Sequence, residues 1–161
     1  MKYILLLSAL MGTMGLQAAS STTTINISGT VNENKDLSFT PAASISDTAL
    51  NDGVSDFALT TVTEQSNKKA GYTVTLESDN SGAAGTAFKL VGATHGEEIT
   101  YTLKYNSAAV TLVAGEATIT DANDKTSKDG VDKVLSISIP ADQNPAADTY
   151  SDTLTLTLTT K

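Results

Sequence analysis

An alternation of polar and apolar residues with a period of two constrains this chain more than any other feature. In Thr24-Ile25-Asn26-Ile27-Ser28-Gly29-Thr30-Val31 it puts Ile25, Ile27, Gly29 and Val31 on one face and four polar residues on the other. Successive strand side chains point to opposite faces, so the pattern predicts a strand with one face to bury. Leu154-Thr155-Leu156-Thr157-Leu158 repeats it near the other end. Shorter runs of the same kind lie between, at residues 37–39, 57–62, 72–76, 88–90, 99–105, 110–112, 117–119 and 134–139. The breaks, such as Asn51-Asp52-Gly53 and Asp79-Asn80-Ser81-Gly82, supply turn chemistry. Strands at this spacing predict an all-β chain folded as a β-sandwich with almost no helix. Residues 121–132 are polar and charge-dense and read as an exposed loop, the most mobile part of the domain.

Met1-Lys2-Tyr3-Ile4-Leu5-Leu6-Leu7 opens with one positive charge and an apolar run, and small residues come next at Ala18-Ala19-Ser20. This predicts a secretory signal peptide over residues 1–19, with cleavage near Ala19, and an exported protein. The apolar run falls short of the roughly 20 residues that a membrane span needs. The rest of the chain has the size of one domain and can bury most of its apolar surface in a single core. The net charge is −8, with no arginine, and loss of Lys2 with the leader makes it more negative. That balance excludes a nucleic-acid partner and removes the bidentate fork used in phosphate recognition. An exported domain without cysteine is stabilised by packing alone, and it has no thiol chemistry.

Signals for a chemical site are weak. His95 is the only histidine, in a turn-like stretch, and no nucleophilic triad assembles around it. Residues 121–132 offer oxygen ligands, but Lys125 and Thr126 stand where a calcium loop needs an oxygen donor and a glycine, and Asp132 stands where it needs glutamate. A solvated turn is the simpler reading. Tyr72, Tyr101, Tyr105 and Tyr150 read as core or rim residues of the sandwich rather than as a sugar-stacking face. The expectation is a chain without catalytic residues, cofactor, metal or small-molecule substrate.

The two ends carry a family resemblance. The pattern Ile-x-Ile-x-Gly-x-Val at residues 25–31, with Asn32-Glu33-Asn34 directly after it, resembles the N-terminal extension of chaperone–usher pilin subunits. The ending, in which Tyr150-Ser151-Asp152 leads into the alternating run from Leu154, resembles that of pilins with a spore-coat-U-like domain. Departures from the pattern leave the branch open: there is no disulfide near Asn34-Lys35, Asp148 stands where a glycine is frequent, and Thr160 stands where a tyrosine is frequent. The resemblance implies an immunoglobulin-like β-sandwich that is incomplete and is completed by donor-strand exchange. A periplasmic chaperone fills its groove first and a neighbouring subunit fills it later, at an outer-membrane usher. It also implies a signal peptide at 1–19, a donor extension at 20–33 and a pilin domain at 34–161. Ile25, Ile27, Gly29 and Val31 would be the donor strand, and Tyr150, Leu154, Leu156 and Leu158 would belong to the acceptor groove and last strand. The implied function is that of a structural subunit of a surface fimbria, partnered by identical or related pilins and supporting adhesion or biofilm formation.

The same residues admit two rival readings. Residues 24–31 also suit the first strand of a closed domain, in which case the chain is a secreted monomeric sandwich that recognises a glycan or a host protein at its loops. A tip adhesin of the same assembly system would need a further receptor-binding domain.

Overall fold

The computed structural model describes residues 23–41, 44–45, 47–82, 84–141 and 144–161. The expected leader, and residues 20–22 of the expected extension, lie outside them. The alternation turns apolar side chains inward on two antiparallel sheets. In chain order the elements are β1 (Lys35–Phe39), α1 (Asp47–Asp52), β2 (Val54–Ser66), β3 (Tyr72–Ser78), β4 (Phe88–Gly92), β5 (Glu98–Tyr105), β6 (Ala108–Ala109), β7 (Glu116–Ala122), β8 (Val131–Ile139), β9 (Tyr150–Ser151) and β10 (Leu154–Thr160). The larger sheet has the order β1-β2-β8-β5-β4-β9, with β6 pairing beside β5, and the smaller sheet is β10-β3-β7. The protein is an all-β sandwich, as its sequence predicts.

Each inward face follows the period of two. β5 buries Ile99, Tyr101, Leu103 and Tyr105, β3 buries Tyr72, Val74 and Leu76, and β8 buries Leu135, Ile137 and Ile139. Phe88 and Tyr101 stack at 5.4 Å between ring centroids. The long strand β2 changes phase at bulges between Val54 and Phe57 and between Ala58 and Thr60, and Asp56 there has a φ of 52°. An extra residue on one strand re-aims the side chains beyond it. Past the bulges, Val62, Glu64 and Ser66 all point inward.

Three expectations need correction. Residues 23–34 belong to no strand. Residues 110–112 are not a strand either, because the chain turns at Asn106 and Ser107, with φ of 48° and 69°, and only Ala108–Ala109 pairs back onto β5; Leu112 is still buried in the core. The charged loop is shorter than 121–132, since its ends are taken into β7 and β8. It is also tied to the end of β2, where the Ser66 N–H donates to Thr126 Oγ1 at 3.0 Å and the Thr126 N–H donates to the Ser66 carbonyl at 2.8 Å.

The chain divides into two units after Val31, residues 1–31 and residues 32–161. The expected boundary, after residue 33, falls two residues later. Residues 32–34 go with the second unit because Asn67 and Lys68 hold them.

Candidate functional site

Two strands end their sheets side by side. β1 pairs only with β2 and β10 pairs only with β3 among the described residues. Lys35, Asp36 and Leu37 of β1 and Leu156, Thr157 and Leu158 of β10 line an open groove between them. On the β10 wall, Leu154, Leu156 and Leu158 sit opposite Ser78, Leu76 and Val74 of β3, and all three leucines are half-buried. On the β1 wall, Leu37 is opposite Glu64 and Phe39 is opposite Val62. Directly opposed residues share a face, and Glu64 and Val62 are buried, so Leu37 and Phe39 face inward too. Phe39 is nevertheless 70% exposed. The groove is therefore an opening in which Leu37, Leu156 and Leu158 lie among Lys35, Asp36 and Thr157, with a strand edge on each side that pairs with no further strand among the described residues, the feature that invites another strand.

Its floor is polar. Glu64 on β2 is fully buried, and its carboxylate accepts hydrogen bonds from Tyr72 on β3 (2.9 Å), Tyr105 on β5 (2.7 Å) and Thr120 on β7 (2.7 Å). The Lys133 ammonium on β8 lies 2.9 Å from the same carboxylate and donates to Thr120 Oγ1 at 2.6 Å. A buried carboxylate persists only when paired and hydrogen-bonded in this way. Burial, and then the bond to the Glu64 carboxylate, pushes the Tyr72 phenol up to about 12, and the Tyr105 phenol is raised for the same reasons. These tyrosines are donors inside the protein, and with Tyr101, which donates to Asp152 at 2.5 Å, three of the four tyrosines expected in the core or at the rim are core residues.

The residues expected to donate a strand are accessible. Ile25, Ile27 and Val31 are 80%, 93% and 89% exposed, and a Cβ added to Gly29 would meet nothing within 4 Å. Isolated exposed apolar residues are ordinary, but three on one face of one segment are not.

Of the four expected groove residues, the structure brings together Leu154, Leu156 and Leu158 and separates Tyr150 from them. Tyr150 is in β9, at the opposite edge of the larger sheet from β1. Its hydroxyl is 3.0 Å from the Ala146 carbonyl and 3.3 Å from Glu97 Oε2. The adjacent Asp152 marks the crossing from one sheet to the other, accepting from Ser78 Oγ of β3 at 2.7 Å as well as from Tyr101 of β5. The sequence reading missed Leu37 and Phe39 as the second wall and Glu64 as the floor. A signal was present: Glu64 occupies an inward phase of β2, two residues after buried Val62.

His95 is exposed in its turn, and its backbone N–H, with that of Thr94, donates to the Asp148 carboxylate at 2.9 and 2.8 Å. No cluster of three potential metal ligands occurs among the described residues, and no helix among them is long and apolar enough to cross a membrane.

A family model for the Spore Coat Protein U domain matches residues 14–157. The chain belongs to that family. The Spore Coat Protein U domain is found in chaperone–usher fimbrial subunits, so the chain belongs in general terms among proteins that work with pilins, a chaperone and an usher. A search of curated proteins finds no match.

Proposed function

We propose that this Spore Coat Protein U domain protein is a non-enzymatic structural subunit of a surface fimbria that polymerises by donor-strand exchange. Residues 25–31 of one copy add a strand between β1 and β10 of the next. Ile25, Ile27 and Val31 cover Leu37, Phe39 and the β10 leucines, and Gly29 allows close backbone approach. The observation that carries this reading is the coexistence, in one chain, of an accessible apolar segment outside every sheet and an apolar groove with two free edges. Burying three such side chains is worth about 1.5–3 kcal/mol each, and the new ladder adds about 1 kcal/mol net per hydrogen bond. An uncovered groove is also an aggregation hazard, which accounts for a dedicated chaperone.

Deleting residues 22–31 tests the reading. The truncated chain should still bind its chaperone and should be absent from fibres; its normal incorporation, seen by electron microscopy or a depolymerisation ladder, would remove the donor role. Replacing Gly29 by leucine should slow polymerisation and leave the melting temperature of the subunit unchanged.

A further inference from the structure

As a sequence, residues 25–39 have the layout of a hairpin: an alternating run, three residues Asn32-Glu33-Asn34, then β1. Three-residue loops are common hairpin connections. In such a hairpin Val31, Gly29 and Ile27 would come opposite Lys35, Leu37 and Phe39, which share the inward face of β1. The alternation alone thus allows the extension to fold into the groove of its own molecule. A donor tethered by three residues also acts at an effective concentration of about the millimolar range, far above that of a second copy at micromolar concentration. Unless something bars it, self-capping wins.

The structure holds residues 32–34 against that reversal. The Asn34 N–H donates to Asn67 Oδ1 at 2.8 Å, the Asn67 N–H donates to the Asn34 carbonyl at 3.0 Å, and Asn67 Nδ2 donates to the Asn32 carbonyl at 2.8 Å. The two carbonyls, two residues apart, therefore face the same side, as they do in extended backbone. The Asn67 to Asn34 backbone bond lies one residue beyond the last β1–β2 pair, Lys35 and Ser66. Glu33, between them, accepts from Thr160 Oγ1 at the end of β10 at 2.8 Å and from Lys68 Nζ at 3.1 Å. A hairpin turn at 32–34 redirects the Asn32 carbonyl and Glu33 and so removes their three contacts, to Asn67, Thr160 and Lys68.

We infer that Asn67 and Glu33 form an exit clamp that holds residues 32–34 in line with β1, opposes their reversal into the hairpin, and so suppresses capping by the molecule's own strand and favours exchange between copies. The inference rests on the strand-exchange reading. Asn67 acts here as a positioning residue.

The test is to unfold the exported full chain and refold it by dilution to micromolar concentration, following oligomers by size-exclusion chromatography with light scattering and monomers by thermal melting. Wild type, Ile27→Asp, Asn67→Ala and Asn67→Ala/Glu33→Ala are compared. The clamp predicts that Asn67→Ala, and the double variant more strongly, lowers oligomer yield about tenfold. It also predicts that their monomers melt higher than Ile27→Asp, whose groove stays empty. A purely structural Asn67 would lower the melting temperature without producing a capped monomer. Oligomer yield equal to wild type, or a monomer melting no higher than Ile27→Asp, overturns the clamp. If Asn67→Ala does not fold, Asn67→Asp decides, since it keeps the acceptor for Asn34 and loses the donor to Asn32; an intermediate partition is expected, and a wild-type partition overturns the proposal. If wild type forms no oligomer, or Ile27→Asp oligomerises equally well, the strand-exchange reading fails and the clamp fails with it.

Discussion

The larger sheet ends in a short strand on each side, and the two ends are finished in opposite ways. At β9 the chain lays a strand along β4 and ties it to the β4–β5 turn. Asp148 accepts the N–H groups of His95, Thr94 and Thr149, the Ala146 N–H donates to Glu97, and Tyr150 closes over Gly92, where an added Cβ would meet Asp148 and the Tyr150 ring. At β1 such bonds occur, among the described residues, only beyond its two ends, at residues 32–34 and at Thr40, and Phe39 between them is left in the open. A shortage of closing devices does not explain the difference, because a loop of a few side-chain-to-backbone bonds suffices at β9. Openness at β1 is local, and it lies on an edge that faces a second free edge, β10.

Several substitutions break or sharpen this contrast. The largest effect belongs to the floor beneath the open edge: Glu64→Ala leaves the partly buried Lys133 without its carboxylate and Tyr72, Tyr105 and Thr120 without their acceptor, and such losses cost about 3–5 kcal/mol. Chemical denaturation of the unassembled chain measures it, and a loss below about 1 kcal/mol would mean that the floor network does not hold the open edge in shape. Next comes Leu156→Ala on the β10 wall. In the unassembled chain the half-buried side chain should cost about 1 kcal/mol, and in the polymer, where a donor strand covers it, about 2–5 kcal/mol, the range for a core leucine; equal losses in the two states would show that the groove is never filled. The smallest effect belongs to the closed edge and is read against pH. The His95 N–H, with those of Thr94 and Thr149, holds the Asp148 carboxyl down at about 2. Its folded value is thus below its unfolded one near 4, so its contribution is complete above about pH 4 and is lost as pH falls from there through about 2. Asp148→Asn should flatten the thermal-melting curve in that window, leaving the contributions of Glu33, Asp56 and Asp124, whose carboxyls are also held low by hydrogen bonds to neighbouring side chains.

The same contrast explains what the sequence made legible. Strands whose neighbours lie on both sides, such as β3, β5 and β8, were plain, because a period of two maps directly onto an inward and an outward face. The Leu154–Leu158 wall was plain for the same reason. Its partner wall was not, since the short run at Leu37 and Phe39 gives no sign of which strand it faces. Tyr150 was misplaced because two residues, Asp152 and Thr153, suffice to carry the chain from one sheet to the other, and nothing local marks that crossing. Glu64 shows a different limit. A carboxylate at an inward phase makes sense only once donors from β3, β5, β7 and β8 converge on it, and those lie far apart in the chain.

The straight run of residues 32–34 into β1 also has a mechanical meaning. A load that reaches residues 32–34 along the strand axis meets the five β1–β2 pairs in shear, together, instead of peeling them one after another. Lifetime under load is governed by the unfolding rate, and under such a load that rate is set by the ladder as a whole together with the Asn67 bonds at its leading end.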